Sequence, residues 1–355
     1  MRLTPERASS VNFMPLKYPL VHEFVIVIAD LYLPEDSAVA ADGLPGLERV
    51  ARFGRRARLK DGWRAWLARD AGHAALAAEP PACIAALCAA EGTAGFLWLA
   101  TPVHLVTGLT SLHLEQRGLL RLPMTTLRML AEDFGNVFHG SGFKLTPLAS
   151  GGFLVVGPAV SRADTLEPAR CIGTDIGAAL PRAAELRRLG AEIELWLHAH
   201  PVNLARIERG ALPISTLWLW GGGMRARTPT AAAAQTATTM ERAYGSDPYL
   251  DGLACASGER TQALPEKIDD LLHAPARRIV IVVELAELLA ADQALDVGAA
   301  LATVDARWIL PATRLVARGA VRTLRVLAND RCLSLTRRDR LRLWRPPCRG
   351  LSGIK

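Results

Sequence analysis

The stretch Glu23-Phe-Val-Ile-Val-Ile-Ala-Asp30 is a nearly continuous apolar run that ends in an acid. Runs of this kind are typical of strands buried on both faces, as in a parallel sheet covered by helices. Residues 214–220, 279–283 and 323–328 form three further runs, with helical stretches between them. The alternation predicts an α/β fold whose mainly parallel sheet has helices on both faces.

Residues 93–160 differ from their surroundings. Short strand-like patterns separated by Gly and Thr turns lie on either side of a helix that is predicted to begin at Pro123 and run to about Phe138. We therefore expect a smaller α+β lobe at 93–160, inserted into an α/β core that is formed by residues 1–92 and 161–355. A chain of 355 residues has room for such a second unit.

The charge of the chain is concentrated in one segment. The net charge is +7, and residues 314–349 alone contain eleven arginines and two aspartates. A solvated basic surface is the interpretation that we favour. A nucleic-acid surface is the alternative, but neither a series of stacking aromatics nor a named DNA-binding motif accompanies the arginines.

The six cysteines show neither C-x-x-C pairs nor zinc-finger spacing, and this pattern predicts free thiols in a reducing compartment. The first twenty residues lack the apolar core of a signal peptide. The longest uncharged stretch, 92–114, contains Pro102, two histidines and several threonines, which disfavours a transmembrane helix. We expect a cytoplasmic protein without a membrane partner.

The segment Ser215-Thr-Leu-Trp-Leu-Trp-Gly-Gly-Gly223 is the most informative for a binding site. Alternation places Trp218 and Trp220 on one strand face. The glycines that follow form either a tight structural turn or a turn whose N–H groups approach a ligand. We expect an acidic ligand between this turn and the 93–160 lobe, with Arg227 nearby. The candidate binding residues are Gly221, Gly222, Gly223, Arg225, Asn203, Arg206, His200 and Trp220.

His198 and His200 precede Pro201, in a segment whose apolar pattern favours a helix. Residues two apart point to different sides of a helix, so a shared metal site is disfavoured. We expect His198 to pair with Glu194, one turn earlier, and His200 to be a hydrogen-bonded, half-buried side chain.

Several stretches together resemble a bacterial family whose members are labelled phosphoglycerate mutase or Rpf-type regulatory protein. They are LHAHPVN at 197–203, Arg206, Gly210, STLWLWGGG at 215–223, Asp251-Gly-Leu-Ala and Leu343-Trp-Arg. Ser215 stands where that family usually has asparagine. The family is distantly similar to the archaeal type of cofactor-independent phosphoglycerate mutase, in the alkaline phosphatase superfamily. The resemblance implies an alkaline phosphatase-like core, two divalent metals, a phosphorylated serine, and an inserted domain that holds the substrate.

The residues that such chemistry needs are incomplete here. Asp30 matches the first metal-binding aspartate, and Glu284 and Asp330 follow two later strands. However, residues 60–63 contain no serine or threonine where the nucleophile is expected, and the expected histidines are missing. We therefore predict that Asp30, Glu284 and Asp330 are vestigial metal ligands, close together at the carboxyl edge of the sheet. Asp30 and Asp330 are equally suited to cap a helix or a turn.

These observations predict a phosphoglycerate mutase-like protein that lacks the two-metal site, has no catalytic residue that we can assign, and needs no cofactor. It would bind an acidic or phosphorylated small molecule, in a binding or regulatory role. The alternative is a divergent phosphoryl-transfer enzyme of the mutase or phosphatase class, dependent on Mn or Mg. Nucleic-acid binding through the arginines is a weaker third hypothesis.

Overall fold

The structure is a computed structural model, and it describes residues 20–33, 43–88, 95–108, 111–160, 165–179, 181–224, 242–273, 276–352 and 354. The strands are β1 (Val21–Ile28), β2 (Arg55–Arg58), β3 (Phe96–Thr107), β4 (Leu112–Leu119), β5 (Lys144–Pro147), β6 (Phe153–Gly157), β7 (Thr216–Met224), β8 (Ala243–Tyr244), β9 (Arg278–Val283), β10 (Val321–Ala328) and β11 (Arg331–Thr336).

The α-helices are α1 (Pro45–Phe53), α2 (Gly62–Asp70), α3 (Pro81–Ala85), α4 (Met124–Val137), α5 (Ala184–His198), α6 (Pro201–Glu208), α7 (Pro248–Ala256), α8 (Leu285–Ala291), α9 (Val297–Val304) and α10 (Leu310–Arg318). A π-helical turn, Asp305–Ile309, joins α9 to α10. Short 3-10 helices include Pro168–Cys171 and Arg338–Leu341.

The main sheet has the strand order β2-β11-β10-β1-β9-β8. The four strands β10, β1, β9 and β8 are parallel, as the apolar runs predict. The prediction of a mainly parallel sheet needs a correction at one side, because β11 and β2 extend the sheet in antiparallel fashion. Asn329 and Asp330 both have positive φ, at 50° and 54°. They form the tight two-residue turn that reverses the chain between β10 and β11.

Helices cover both faces of the main sheet because β1 is apolar on both sides. Phe24 and Ile26 pack with residues of α1, α9 and α10. Val25 and Val27, on the opposite face, pack with residues of α2 and α7. A strand buried on both sides cannot show an alternating pattern, which explains the continuous run in the sequence.

The second sheet is antiparallel throughout, with the order β4-β3-β6-β5, and β7 pairs with β3. The prediction that the 214–220 run is a strand of the parallel core is wrong, because β7 pairs with β3 in antiparallel fashion. Apolar content predicts a strand but not its partner. The second sheet therefore draws on residues from both sides of the expected boundary at 160. One face packs on α4 and α5, and the other on α3, the Pro168–Cys171 helix and Ala286 of α8.

Cys88 and Cys255 form a disulfide, with their Cα atoms 5.8 Å apart. The expectation that all six cysteines are free thiols is wrong for this pair, and the cysteines no longer support a reducing compartment. Within the described residues, no helix combines the length and the apolar character needed to cross a bilayer.

Candidate functional site

The three acids predicted as vestigial metal ligands follow the parallel strands of the main sheet. Asp30 follows β1, Glu284 follows β9, and Asp330 follows β10. Because β1 is hydrogen-bonded to both other strands in parallel, all three acids lie at the carboxyl edge of the sheet. This is the position at which open α/β sheets bind their ligands.

Asp30 is buried, and backbone groups occupy both of its carboxyl oxygens. Its Oδ1 accepts from the N–H of Leu285 and its Oδ2 from the N–H of Ala286, each at 2.8 Å. The side-chain amide of Gln116 donates to Oδ2 at 3.1 Å. Burial raises the pKa of Asp30, although the two backbone N–H groups act in the opposite direction. Asp30 therefore anchors the start of α8.

Glu284 is also buried, and its hydrogen-bond partner follows a strand of the second sheet. Arg121, which follows β4, places Nε 2.7 Å and Nη2 2.6 Å from Oε2 of Glu284. Burial raises the pKa of Glu284 to about 7, against the opposing charge of Arg121. This carboxyl is thus bound to a guanidinium group.

Asp330 is held by Arg170 of the Pro168–Cys171 helix. Its two oxygens accept from Nη1 at 2.6 Å and from Nη2 at 2.9 Å, the two-pronged geometry that favours Arg–carboxylate pairs. The same guanidinium lies over the ring of Tyr32, 4.2 Å from its centroid. The prediction that Asp330 ends a strand is correct, and its place in the turn between β10 and β11 agrees with the alternative role in a turn.

A third arginine, Arg64 on α2, connects two further acids. Its Nη1 donates to Glu167 at 2.7 Å and its Nη2 to Asp247 at 3.0 Å. The guanidinium lies against the rings of Trp63 and Trp220, at 4.4 and 4.8 Å from their centroids. In the sequence, Arg64 directly follows residues 60–63, the segment in which the resemblance places a nucleophile.

These groups surround a small cavity between the sheet edge and the second sheet. Its volume is about 50 Å³, and six ionisable side chains line it: Asp30, Arg64, Arg121, Glu167, Asp247 and Glu284. A water molecule needs roughly 10–15 Å³ on such a measure, so the cavity holds only a few waters. It is too small to hold a phosphorylated metabolite.

The donor set does not fit a two-metal centre. Two cations held close together need several unshared carboxylate or imidazole ligands, whereas Asp30, Glu284 and Asp330 are engaged by N–H groups and guanidinium groups. In the part of the chain that the structure describes, no three His, Cys, Asp or Glu side chains form a group suited to a metal. We refer to this arrangement of carboxyl groups and Arg64, Arg121 and Arg170 as the closed edge.

The glycines of the Trp–Gly segment are packed rather than open. Residues 221–223 continue β7, so the prediction of a turn after Trp220 is wrong. A Cβ atom on Gly222 would lie 2.3 Å from the ring of Trp98, and one on Gly223 would lie 2.2 Å from Pro80. Close packing against β7 therefore explains why residues 222 and 223 are glycines.

The two tryptophans behave as the alternation predicts. Trp218 and Trp220 pack on one face of β7, and Leu217 and Leu219 on the other. Each indole N–H has a partner at 2.9 Å: the carbonyl of Leu166 for Trp218, and the hydroxyl of Thr101 for Trp220. Trp220 is the member of the predicted binding set that lines the small cavity of the closed edge.

His200 and Asn203 have structural hydrogen bonds at the start of α6. The Nδ1 of His200 accepts from the N–H of Val202, and its Nε2 lies 3.2 Å from Asp133. Asn203 is buried and bonds to the carbonyls of Leu197 and Ile214 and to the N–H of Ile214. The helix predicted around His198 is confirmed as α5. The structure does not bring these two residues together with the glycines of β7 around a cavity.

Arg206 lies in a different place, in a cleft between the two sheets. The cleft has a volume of about 380 Å³, and α8, the end of β4 and the 206–212 segment line it. Its described lining residues include three arginines, Arg117, Arg121 and Arg206, and no acidic side chain. We call this the arginine cleft. Arg225 and Arg227, the other predicted anion-binding residues, lie outside the described residues.

Two of the cleft arginines have no carboxylate partner among the described residues. Arg117 donates to the carbonyls of Leu289, Gln293 and Leu295, at the end of α8. Arg206 donates through Nε to the carbonyl of Leu212 at 2.8 Å. Burial, with a contribution from nearby Arg209, lowers the pKa of Arg206, as is expected for a cation without a counterion.

Sequence reasoning missed several residues of these two sites. Arg64, Arg121, Arg170, Glu167 and Asp247 each come from segments far from Asp30 along the chain. Arg117 is an unremarkable charged position on a strand. No local pattern marks them, although a buried acid at a strand end always requires a partner somewhere.

Comparison with known proteins gives a limited result. No family model matches the chain, and no curated protein matches it significantly. Among solved structures, the cofactor-independent phosphoglycerate mutase from Thermoplasma acidophilum DSM 1728 is similar at 15% identity and a TM-score of 0.35, covering 88% of this chain and 89% of that chain. The PH0037 protein from Pyrococcus horikoshii is similar at 12% identity and a TM-score of 0.44, covering 88% and 82%. No residue role follows from such weak likenesses.

Proposed function

We propose that the protein binds an acidic or phosphorylated small molecule in the arginine cleft and does not catalyse two-metal phosphoryl transfer. The observation that carries the proposal is a cleft of about 380 Å³ whose charged lining consists of Arg117, Arg121 and Arg206. Guanidinium groups present several donors in a plane and are well suited to carboxylates and phosphates.

The charge balance of the cleft supports an anionic ligand. Arg121 is bonded to the carboxyl group of Glu284, and the carbonyl groups at the end of α8 already occupy donors of Arg117. Within the described part of the chain, the guanidinium of Arg206 makes one hydrogen bond, through Nε, and its two Nη groups can meet a ligand. Burial and nearby Arg209 lower the pKa of Arg206, and a bound anion would supply a counterion that favours its charged form.

The closed edge supports the non-catalytic part of the proposal. A phosphoryl-transfer site needs open metal positions and a nucleophile within reach, but each of the three candidate ligands is already bonded. The binding or regulatory role of a phosphoglycerate mutase-like protein, the absence of a cofactor and a cytoplasmic location remain proposals. A divergent mutase or phosphatase that uses Mn or Mg is the competing hypothesis.

Calorimetric titration of the full chain tests the binding site. The probes are inorganic phosphate, citrate and 3-phosphoglycerate, with glycerol as a neutral control. We expect at least one anion to bind and glycerol not to bind. Arg206→Gln should weaken that binding by about tenfold, since a charged hydrogen bond contributes roughly 1.5–3 kcal/mol. The matched control is Arg209→Gln, which removes the same charge from a residue that does not line the cleft. Equal losses in both variants, or no binding by any anion, would refute the site.

Activity assays test the competing hypothesis. The protein is incubated with added Mn or Mg and either 3-phosphoglycerate or a general phosphatase substrate. We expect no turnover above the background of a mock purification. Turnover that Asp30→Asn abolishes, while the variant keeps its fold, would establish the enzyme instead.

A further inference from the structure

Three of the most exposed large apolar side chains lie within four residues of one another. Leu341, Leu343 and Trp344 are 73%, 71% and 78% exposed. They follow or end the short 3-10 helix Arg338–Leu341, after the last strand of the main sheet. Single exposed apolar residues are common, but a cluster of this kind marks an interaction surface.

The backbone of this segment is held in place. Asp339 accepts from the N–H and the hydroxyl of Thr336 and pairs with Arg342 at 2.8 Å. Arg345 donates to the carbonyl of Gly54, and Arg52 donates to the carbonyl of Arg345 at 2.9 Å. The apolar side chains therefore extend from a segment that is bonded to α1 and β2.

The surroundings of the cluster are strongly basic. Residues 52–60 and 337–349 contain eleven arginines and lysines and one acid, Asp339. That acid pairs with Arg342 and Arg55, so one negative charge offsets the eleven positive charges of these residues. Arg55 lies 3.8 Å from Asp339, and Arg56 donates to Cys348 at 3.2 Å, which places β2 beside the segment. We call this combination of β2 and residues 337–349 the basic apolar surface.

We propose that the basic apolar surface docks the protein on an anionic lipid bilayer. Lipid binding needs two contributions, apolar side chains that enter the interface and basic side chains that meet the headgroups. The tryptophan ring suits the interface level, where its apolar body and N–H are both accommodated. This function goes beyond ligand binding in the arginine cleft and is independent of it, and it departs from the expectation, drawn from the sequence, of no membrane partner.

Lipid fits the surface better than nucleic acid does. Binding of single strands relies on several flat rings that stack on bases, and this surface offers one ring, Trp344. Leu341 and Leu343 gain nothing from a phosphate backbone, but they lose contact with water when they enter the acyl region. Charge complementarity and apolar exposure thus point to the same partner.

Vesicle co-sedimentation of the full chain tests the proposal. Vesicles of phosphatidylcholine alone are compared with vesicles that also contain phosphatidylglycerol. We expect binding to the anionic vesicles only, with loss at high salt because exposed charges are screened. The double variant Leu343→Ser and Trp344→Ser should weaken binding at least about tenfold. Leu195→Ser is the matched control, because Leu195 is 76% exposed on α5; this variant should bind like the wild type.

Two further arms distinguish the sources of binding. Arg338→Gln with Arg340→Gln should reduce binding by about fivefold per charge removed. A single-stranded DNA oligonucleotide is titrated in parallel. The proposal fails if anionic vesicles do not bind or if the Leu343–Trp344 variant binds them unchanged. It also fails if the DNA binds and the vesicles do not, which would assign the surface to nucleic acid.

Discussion

The closed edge and the arginine cleft are neighbours that share Arg121, yet their electrostatics are opposite. At the closed edge, Arg64, Arg121 and four carboxyl groups line a cavity of about 50 Å³, and Arg170 pairs with a fifth carboxyl group, that of Asp330, outside the cavity lining. The cleft has a volume of about 380 Å³ and its described lining residues include three arginines and no acid; of these arginines, Arg117 and Arg206 have no carboxylate partner among the described residues. The comparison shows that the position where α/β sheets usually bind ligands is filled by the protein's own ion pairs. The open, uncompensated charge lies beside it.

Loss of an arginine should therefore have very different effects in the two regions. Arg64→Ala leaves the buried Asp247 without its cation and removes the nearer of the two cations beside Glu167. We expect the free energy of unfolding to fall by about 3–5 kcal/mol, since an uncompensated buried charge is costly. Chemical denaturation at neutral pH measures this.

The control for Arg64 is an exposed pair on the same helix. Arg69 pairs with Asp61, and both side chains are more than half exposed. Arg69→Ala should cost about 0–1 kcal/mol. If both variants lose the same amount, the ion pairs of the closed edge do not have the stabilising role inferred here.

Substitutions in β7, the strand whose Trp220 lines the cavity of the closed edge, should also destabilise the fold. A side chain at Gly222 meets the buried ring of Trp98, at 2.3 Å from the new Cβ atom. Gly222→Val should destabilise the fold by about 1–3 kcal/mol through overpacking. Thermal and chemical denaturation measure the loss. Gly135→Ala on α4 is the control, where a Cβ meets nothing within 4 Å. That variant should be stabilised by about 0.5–1 kcal/mol.

The pH dependence of stability should identify the protonated carboxyl of the closed edge. The pKa of Glu284 rises from 4.5 to about 7 on folding because of burial. Between these values the folded protein retains a proton that the unfolded chain has lost, so the stability contributed by Glu284 falls as pH rises. The wild type should lose roughly 1–3 kcal/mol more than Glu284→Gln between about pH 4.5 and pH 7.

Denaturation curves at several pH values, compared between the two proteins, measure this difference. Glu192→Gln, which changes an exposed acid on α5, should follow the wild-type profile. A wild-type profile that matches that of Glu284→Gln would mean that Glu284 is ionised throughout and that burial does not raise its pKa in the folded protein.

The sequence predicts where the strands of the core lie more reliably than it predicts which strands pair with one another. The runs at β1, β9 and β10 are apolar throughout because both faces are buried, and that signal is local. The residues of β2, Arg-Arg-Ala-Arg, are all exposed at the edge of the sheet and show no such signal. The hairpin between β10 and β11 had an available signal in Asn329-Asp330, because both residue types tolerate positive φ. No signal in the sequence indicated that β7 would pair with β3.

The site divides in the same way. That acids follow β1, β9 and β10 could be read from the sequence, since a strand end is local. What those acids contact could not, because Arg121 and Arg170 are separated from Glu284 and Asp330 by 163 and 160 residues. The resemblance led to the expectation of metal ligands. In the structure, guanidinium groups bind Glu284 and Asp330 instead, and the N–H groups at the start of α8 bind Asp30.

The smallest effect is expected in the cleft, where Arg206 has no carboxylate partner within the described part of the chain. Arg206→Gln removes a half-buried charge and one hydrogen bond to the carbonyl of Leu212. The lost bond and the relief of repulsion from Arg209 oppose each other, so the unfolding free energy should change by less than about 1 kcal/mol. Because exposed charges repel less when screened, the variant should compare more favourably with the wild type at low salt than at high salt. Denaturation of both proteins at two salt concentrations measures the difference. A loss of 3–5 kcal/mol, as large as the value of about 3–5 kcal/mol expected for Arg64→Ala, would show that Arg206 is a structural residue with no charge to offer a ligand.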